Sequence, residues 1–198
     1  MEEGYRKNLP PLYVIAGKIK GRKIECPKGE IRPMTARSRG ALFNIIGDCS
    51  GMDMLDLFCG SGSISIEAFS RGMESSDLVD GDRGKKEIIE KNLLHAGFTN
   101  GKLYISDAIN FCERTTKKYD FIMVDPPYKM EKKEKLIEVV SEKNLLKDNG
   151  FLVIQLPKKY DMDEEIGDLY QFDIRNYGLN TLIFYRKKDS ESVNDSNA

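Results

Sequence analysis

Residues 125–128 are an acid, two prolines and an aromatic, which are residue types able to hold a planar amine. The apolar stretch 119–124 predicts a buried strand, so Asp125 begins a loop at its carboxyl end, where open α/β sheets bind ligands. Pro126 and Pro127 stiffen the loop because proline fixes φ and has no N–H. The Asp125 carboxylate and the Pro126 carbonyl can accept two N–H bonds, and Tyr128 can stack on the amine. Taken alone, the motif is equally typical of a loop acid before a proline turn.

A glycine-rich turn precedes this motif in the chain. Gly60 and Gly62 lie between a predicted strand, 53–58, which contains Asp56, and a predicted helix with Ser63 as its N-cap. Glycines let the backbone approach a ligand closely, and a helix N-terminus offers free N–H groups. The third glycine of the dinucleotide-binding pattern is replaced by Ser65, which disfavours NAD.

Further acids end the next two predicted strands. Asp80 ends strand 76–80, 20 positions after Gly60, a spacing that suits a carboxylate accepting the hydroxyls of a ribose. Asp82 could take that role instead, and Asp80 could be an ordinary strand-end acid. Asp107 follows strand 102–106 and could accept from an adenine amine. It could equally cap the helix that follows, and the two roles are compatible.

In order, these motifs resemble those of S-adenosylmethionine-dependent methyltransferases that act on exocyclic amines. The resemblance extends to the bacterial small-subunit (16S) ribosomal RNA guanine-N2 methyltransferases and covers about residues 12 to 188. Its acid-Pro-Pro-Tyr loop is shared with adenine-N6 DNA methyltransferases, so the amino-terminal block is the more discriminating part. The further matching positions are 14–18, 21–22, 27–29, 32–33, 37, 41–45, 67–68, 70–72 and 177–178.

The resemblance implies S-adenosylmethionine as the cofactor, small-subunit ribosomal RNA as the substrate, and Asp125, Pro126, Pro127 and Tyr128 as the catalytic loop. Acids usual in the family at positions 36 and 40 are replaced by Ala36 and Gly40, and Gln155 stands where the family often has Glu. Arg37 is expected to contact either the cofactor carboxylate or RNA. The implied cofactor residues are Asp56, Phe58, Gly60, Ser61, Gly62, Asp80, Asp107 and Ala108, and the implied RNA-binding residues are Lys18, Arg22, Lys23, Arg37 and Arg39.

Three other functions compete with this interpretation. An adenine-N6 DNA methyltransferase would share the catalytic loop, but the chain has little room for a target-recognition domain. A non-catalytic RNA-binding ribosome assembly factor could keep the fold, and the intact loop argues against it. A nicotinamide dehydrogenase would need a base or polarising group that the sequence does not supply.

Charge is distributed unevenly along the chain. Residues 1–40 contain ten Lys or Arg and four acids, whereas the whole chain has a net charge of -1. A basic arm on an acidic body is typical of RNA binding, although a solvated charged hairpin is the commoner reason for such a run. We expect the RNA to be part of a ribosomal particle, and we expect the protein to be a monomer.

Composition predicts one globular domain in the cytoplasm. The 198 residues are 40% hydrophobic, contain no apolar run long enough to span a membrane, and begin without a signal peptide. The four cysteines form no metal-binding pair and His95 is the one histidine, so reduced thiols and no metal site are expected.

Alternating strand and helix patterns predict a parallel sheet with helices on both faces. The resemblance implies a Rossmann-like α/β fold, with a mostly parallel seven-stranded sheet that has one antiparallel strand. Predicted strands 170–177 and 181–187 should pair antiparallel because their link is short. Other expectations are a β-hairpin of strands 12–19 and 23–26, a short helix at 162–167, and three units: a basic hairpin extension (1–35), a Rossmann-like methyltransferase domain (36–188) and a disordered polar tail (189–198).

Overall fold

Strands and helices alternate along the chain in the computed structural model, which describes residues 11–27, 33–131 and 133–188. The chain-order elements are β1 (Leu12–Tyr13), β2 (Lys23–Ile24), α1 (Ala36–Ile46), β3 (Asp53–Leu57), α2 (Ser63–Ser70), β4 (Ser75–Asp80), α3 (Lys86–Ala96), β5 (Gly101–Ile105), α4 (Ala108–Arg114), β6 (Tyr119–Val124), α5 (Lys133–Glu142), β7 (Leu146–Pro157), β8 (Glu165–Ile166), β9 (Leu169–Tyr177) and β10 (Asn180–Lys187).

The large sheet has the strand order β5-β4-β3-β6-β7-β10-β9-β8. The first five of these strands are parallel, and β10 runs antiparallel to both of its neighbours, β7 and β9. This confirms the predicted α/β fold and the predicted antiparallel pair at the end of the chain. It also brings the carboxyl ends of β3, β4, β5, β6 and β7 to one edge of the sheet, where the candidate site residues lie.

An eighth strand was not predicted. β8 pairs antiparallel with β9, and it forms within the stretch 162–167 where the sequence predicted a short helix, so that prediction is wrong. Gly167 has a φ of 62°, a left-handed conformation that favours glycine, and it allows a two-residue turn between β8 and β9. The turn buries Ile166 and Leu169 in the core, which gives the short strand its stability.

Helices cover both faces of the sheet, as predicted. The apolar side chains of α4 and α5 form one core cluster with one face of the sheet, and those of α1, α2 and α3 pack on the other face. Adjacent residues of β4 show the alternation, since Leu78 belongs to the core on one face and Val79 to the core on the other. Within the described ranges, no helix combines the length and apolarity needed to cross a membrane.

The amino-terminal hairpin is shorter than expected and packs directly on the domain. Only residues 12–13 and 23–24 pair as strands. The N–H groups of Ile15 and Ala16 donate to the buried Glu67 carboxylate over 2.7 and 3.1 Å, so this part of the chain bonds to α2 and not to a second strand. Leu12, Val14 and Ile24 share a core cluster with α2 and α3.

The expected unit boundaries at 35 and 188 stay predictions. The basic arm was defined as residues 1–40, and most of the part that the structure describes, residues 11–27, is this packed hairpin. The family positions 28, 29 and 32 and the predicted polar tail 189–198 lie outside the described residues.

Candidate active site

Asp125 follows β6 directly, at the carboxyl edge of the sheet. Its N–H donates to the Leu57 carbonyl of the neighbouring strand β3 over 3.3 Å, which fixes the start of the loop. From β7, Gln155 Nε2 donates to Asp125 Oδ1 over 2.9 Å. Asp125 stays partly exposed, whereas Pro126 is buried. Asp125 is thus held from both adjacent strands, its main chain by β3 and its carboxylate by β7.

Two carboxyl groups at this edge are hard to ionise. Burial raises the pKa of Asp125 to about 7, the negative charge of Asp56 also raises it, and the hydrogen bond from Gln155 opposes both effects. Burial likewise raises the pKa of Asp56 to about 7, against the hydrogen bond that Ser65 Oγ donates to Asp56 Oδ2 over 2.7 Å. Shifted carboxyl groups in a cleft are typical of functional sites.

A buried lysine, which no pattern in the sequence singles out, holds the rest of the loop. Lys133, at the first turn of α5, is 1% exposed. Its ammonium donates to the Tyr128 carbonyl over 3.3 Å and to the Met130 carbonyl, and it lies 4.3 Å from the centre of the Tyr160 ring. In addition, Tyr128 Oη donates to Asn180 Oδ1 over 2.7 Å. Tyr128 is 44% exposed, so its ring remains accessible.

The glycine turn lies beside this loop, between β3 and α2. Gly60 and Gly62 have φ values of 59° and 74°, and a Cβ added at Gly62 would stand 3.2 Å from Leu78 Cδ2. Phe58 has a φ of 62°, which is rare for a residue other than glycine and is typical of ligand-binding turns. α2 starts at Ser63 after a left-handed Gly62, so Gly62 is the N-cap and the expected capping by Ser63 is wrong.

The structure distinguishes Asp80 from Asp82. Asp80 is 4% exposed, and it accepts from the N–H of Gly60 over 2.9 Å, which places its carboxylate against the glycine turn. It also accepts from the Asp82 N–H, and Lys85 Nζ lies 3.0 Å from Oδ1 and 3.1 Å from Oδ2. The exposed Asp82 accepts from the Gly84 N–H and caps the following 3-10 turn. Asp80 therefore lies against the glycine turn, whereas Asp82 caps the turn that follows β4.

Three other predicted cofactor residues have the following positions. Asp107 caps α4, accepting from the Asn110 N–H over 3.0 Å, and its exposed carboxylate lies at the end of β5, so a further contact with adenine stays a prediction. Ala108 is buried beneath it. Ser61 is buried in the glycine turn, and its carbonyl accepts from Asn92 Nδ2 over 2.9 Å.

Arg39 is fully buried, and the prediction that it contacts phosphate is wrong for this fold. Its Nη2 donates to the Tyr13 carbonyl over 2.6 Å, and its Nε lies 3.5 Å from Glu67 Oε2. Glu67 also accepts from Arg71 Nε over 2.9 Å. These contacts attach α1 and the hairpin to α2. Glu67 was known in the sequence only as a family position, because its partners are distant along the chain.

The other predicted RNA-binding residues are exposed. Lys18 Nζ lies 3.5 Å from the centre of the Phe69 ring, and Arg22 donates to the His95 carbonyl. Lys23 is exposed on the hairpin, and Arg37 is exposed at the start of α1.

Thr35 caps α1, with its Oγ1 accepting from the Ser38 N–H over 3.1 Å, and no acid is present in the first turn of this helix.

The chain is similar to known proteins over most of its length. The family model described as Conserved hypothetical protein 95 matches residues 12–186. YlbH of Bacillus subtilis, provisionally named an rRNA methyltransferase, is 34% identical over 89% of this chain and 100% of its own length. The ribosomal RNA small subunit methyltransferase D of Escherichia coli K12 is 34% identical over 71% of this chain and 69% of its own.

Solved structures have the same fold. A conserved hypothetical protein of Streptococcus pyogenes is 33% identical, with a TM-score of 0.71 over 76% of this chain and 95% of that one. An Escherichia coli protein provisionally called the methyltransferase yhhF has a TM-score of 0.79 at 24% identity, covering 90% of this chain and 99% of its own. The chain therefore belongs to the Conserved hypothetical protein 95 family and is a relative of the ribosomal RNA small subunit methyltransferases D, which confirms the resemblance seen in its sequence.

Proposed function

We propose that this protein is an S-adenosylmethionine-dependent methyltransferase that methylates the exocyclic N2 amine of a guanine in small-subunit (16S) ribosomal RNA. The observation that carries the proposal is the contact between the two motifs: the Asp125 N–H donates to the Leu57 carbonyl directly before the glycine turn. An amine acceptor and a cofactor turn are therefore adjacent at one edge of the sheet. Relatives named as methyltransferases of small-subunit ribosomal RNA support the choice of substrate.

The residues at the glycine turn fit S-adenosylmethionine. Asp80 presents a carboxylate next to the backbone of Gly60, as a ribose requires, and the left-handed Gly62 leaves the turn without a side chain. The hydroxyls of the ribose would share the Asp80 oxygens with Lys85. The bound cofactor supplies an electrophilic methyl carbon on a sulfonium. The residues that would hold it are Asp56, Phe58, Gly60, Ser61, Gly62, Asp80, Asp107 and Ala108.

The catalytic loop makes the acceptor amine reactive. The lone pair of a guanine N2 is delocalised into the ring, so the amine is a poor nucleophile. When Asp125 and the Pro126 carbonyl accept its two N–H bonds, the nitrogen is drawn towards tetrahedral geometry and its lone pair becomes available. Alignment of this kind contributes up to about 7 to 11 kcal/mol in favourable cases. The Asp125 carboxylate also stabilises the positive charge that develops on the nitrogen.

The target base must leave its stack to reach this loop. Tyr128, whose ring is accessible and whose hydroxyl is held by Asn180, is placed to stack on the base. Base–aromatic stacking contributes roughly 1 to 3 kcal/mol, which offsets part of the cost of unstacking the guanine. The hairpin residues Lys18, Arg22 and Lys23, with Arg37 of α1, supply positive charge for the phosphates of the RNA.

We further propose that the protein acts as a monomer in the cytoplasm on RNA within a small-subunit particle. The basic hairpin and the relatives named for small-subunit ribosomal RNA support ribosomal RNA as the partner.

The test is methyl transfer by an Asp125→Ala variant. With radiolabelled S-adenosylmethionine and small-subunit particles from cells that lack the gene, we expect the wild type to form N2-methylguanosine, identified by nucleoside mass spectrometry. The variant should lose transfer while binding the cofactor nearly as well by calorimetry. Asp148→Ala is the matched control, because Asp148 is exposed and lies at the start of β7, whereas the Gln155 that bonds Asp125 lies near its end.

Full activity of Asp125→Ala would overturn the role of this residue. Transfer to adenine in DNA, with none to RNA, would favour the adenine-N6 DNA methyltransferase. A wild-type protein that binds the particle but no cofactor would favour an assembly factor.

A further inference from the structure

The turn between β9 and β10 carries an apolar side chain into solvent next to the catalytic loop. The two strands are joined by Gly178, which has a φ of 60°, and Leu179, which is 84% exposed. A single exposed leucine is ordinary on a protein surface. The position of this leucine relative to the site makes it distinctive.

Two hydrogen bonds attach the turn to the active site. The Leu179 carbonyl accepts from the Lys158 N–H over 2.8 Å, directly after the carboxyl end of β7. The next residue, Asn180, accepts through its Oδ1 from Tyr128 Oη. The main chain of the turn is therefore held next to the residue whose ring is proposed to stack on the guanine.

Three exposed lysines are at, or next in sequence to, the residues that bond this turn. Lys129 follows Tyr128 in the catalytic loop, and Lys158 and Lys159 follow β7; all three are exposed. In the part of the chain that the structure describes, none of these lysines forms an ion pair. The next acids along the chain, Asp161 and Asp163, line a cavity together with Glu134 of α5.

The basic hairpin cannot supply this charge at the same place. Its turn is attached at the carboxyl ends of α2 and α3, through Lys18 N–H to the Ser70 carbonyl over 2.7 Å and through Arg22 to the His95 carbonyl. The glycine turn of the cofactor site is at the other end of α2. Eight helical residues separate the two ends by about 12 Å. RNA lying over Asp125 thus needs a second basic surface, closer to the catalytic loop.

We propose that the β9–β10 turn is the surface that receives the RNA strand around the target guanine. On the function proposed above, Lys129, Lys158 and Lys159 bind the phosphates on either side of the target. Leu179 enters the stack and fills the space that the guanine leaves when it moves to Asp125, as apolar wedges do in other proteins that unstack bases.

The experiment compares two leucines that are equally exposed. Leu179→Ala is measured against Leu94→Ala, which is on α3 and 83% exposed, so neither change disturbs the core. With unmethylated small-subunit particles, we expect Leu179→Ala to lower kcat/KM for the particle about 10-fold, because alanine is too short to fill the space that the guanine leaves in the stack. The cofactor affinity by calorimetry should be unchanged, and Leu94→Ala should match the wild type.

Two further variants separate a wedge from a structural effect. Leu179→Met keeps an apolar side chain and should restore most of the activity. The pair Lys158→Gln and Lys159→Gln together should reduce the slope of log K for particle binding against log salt by about 2, since each phosphate contact contributes about one. Leu179→Ala with wild-type kinetics, or an unchanged salt slope, would overturn this inference. A wild-type protein without methyl transfer to the particle would instead overturn the proposed function itself.

Discussion

Gln155 Nε2 donates to Asp125 Oδ1 over 2.9 Å, and this bond joins the fifth strand of the parallel sheet to the proposed catalytic acid. Gln155 is 3% exposed, and its Oε1 has no hydrogen-bond partner among the residues described. A buried amide that donates a hydrogen bond to a carboxylate stabilises the ionised form of that carboxylate. Gln155 therefore opposes the burial that raises the pKa of Asp125 to about 7.

The first prediction concerns pH. The proposed role of Asp125 requires an acceptor, so only its ionised form is active. As the pH falls through 7 the protonated fraction grows, and kcat/KM should fall about tenfold per pH unit below the midpoint. Gln155→Leu removes the donor that favours ionisation and should move the midpoint to higher pH. The measurement is kcat/KM for the particle between pH 5.5 and 9, at saturating cofactor.

Gln171→Leu is the matched control for this pH profile. Gln171 is on β9, and its main-chain N–H donates to the Glu164 carbonyl, a bond that the substitution leaves in place. It should leave the midpoint in place. A Gln155→Leu profile that coincides with the wild-type profile would show that this bond does not set the ionisation of Asp125.

The second prediction concerns the ribose acid. Asp80→Asn removes the charge that accepts from the Gly60 N–H and should raise the Kd for S-adenosylmethionine by about 10- to 100-fold, the usual effect of losing a hydrogen bond to a charged group. Asp82→Asn alters only an exposed cap and should change the Kd by no more than about twofold. Isothermal calorimetry on both variants decides between the two acids, and a larger loss at Asp82 would reverse the assignment.

The third prediction concerns stability. Glu67 is fully buried and bonds Arg39, Arg71 and the N–H groups of Ile15 and Ala16. Glu67→Gln leaves buried positive charge without its partner and should lower the free energy of unfolding by about 3 kcal/mol. For a chain of this size, that loss lowers the Tm by roughly 6 to 12 °C.

Glu90→Gln provides the control for that measurement, because it removes an exposed glutamate that is also paired with a cation one helical turn away, Lys86. Exposed pairs contribute about 0.2 to 1 kcal/mol, so its Tm should stay close to that of the wild type. Equal Tm values for the two variants would show that the Glu67 cluster does not hold the hairpin to the domain.

Local patterns in the sequence predicted the parts of the site that depend on neighbouring residues. Asp125 directly follows a buried strand, Asp80 is the last residue of another, and the Gly60–Gly62 turn begins shortly after a third. A strand end determines where the next residues lie. The roles of Gln155 and Glu67 depend on groups that meet across the fold, such as the Glu67 carboxylate and the main-chain N–H of Ile15, 52 positions apart. Lys133 bonds to carbonyls only three and five residues away, but the sequence does not reveal that its ammonium is buried. Arg39 shows the same limit: a basic residue in a basic arm predicts a surface cation, and only the position of Glu67 reveals that it is buried.

The fourth prediction concerns the shape of the catalytic loop. Lys133 donates from beneath the loop to the Tyr128 and Met130 carbonyls, so Lys133→Met should leave both carbonyls without this donor while keeping much of the buried volume. Misplacement of about 1 Å near a reacting group can cost around 100-fold in rate, and we expect kcat to fall at least 10-fold with the cofactor Kd unchanged. Lys135→Met, two residues away and half exposed, should leave kcat at the wild-type value. Because the two variants make the same substitution on one helix, a shared loss of activity would point to α5 as a whole, whereas a loss confined to position 133 would identify its ammonium as the group that positions the loop.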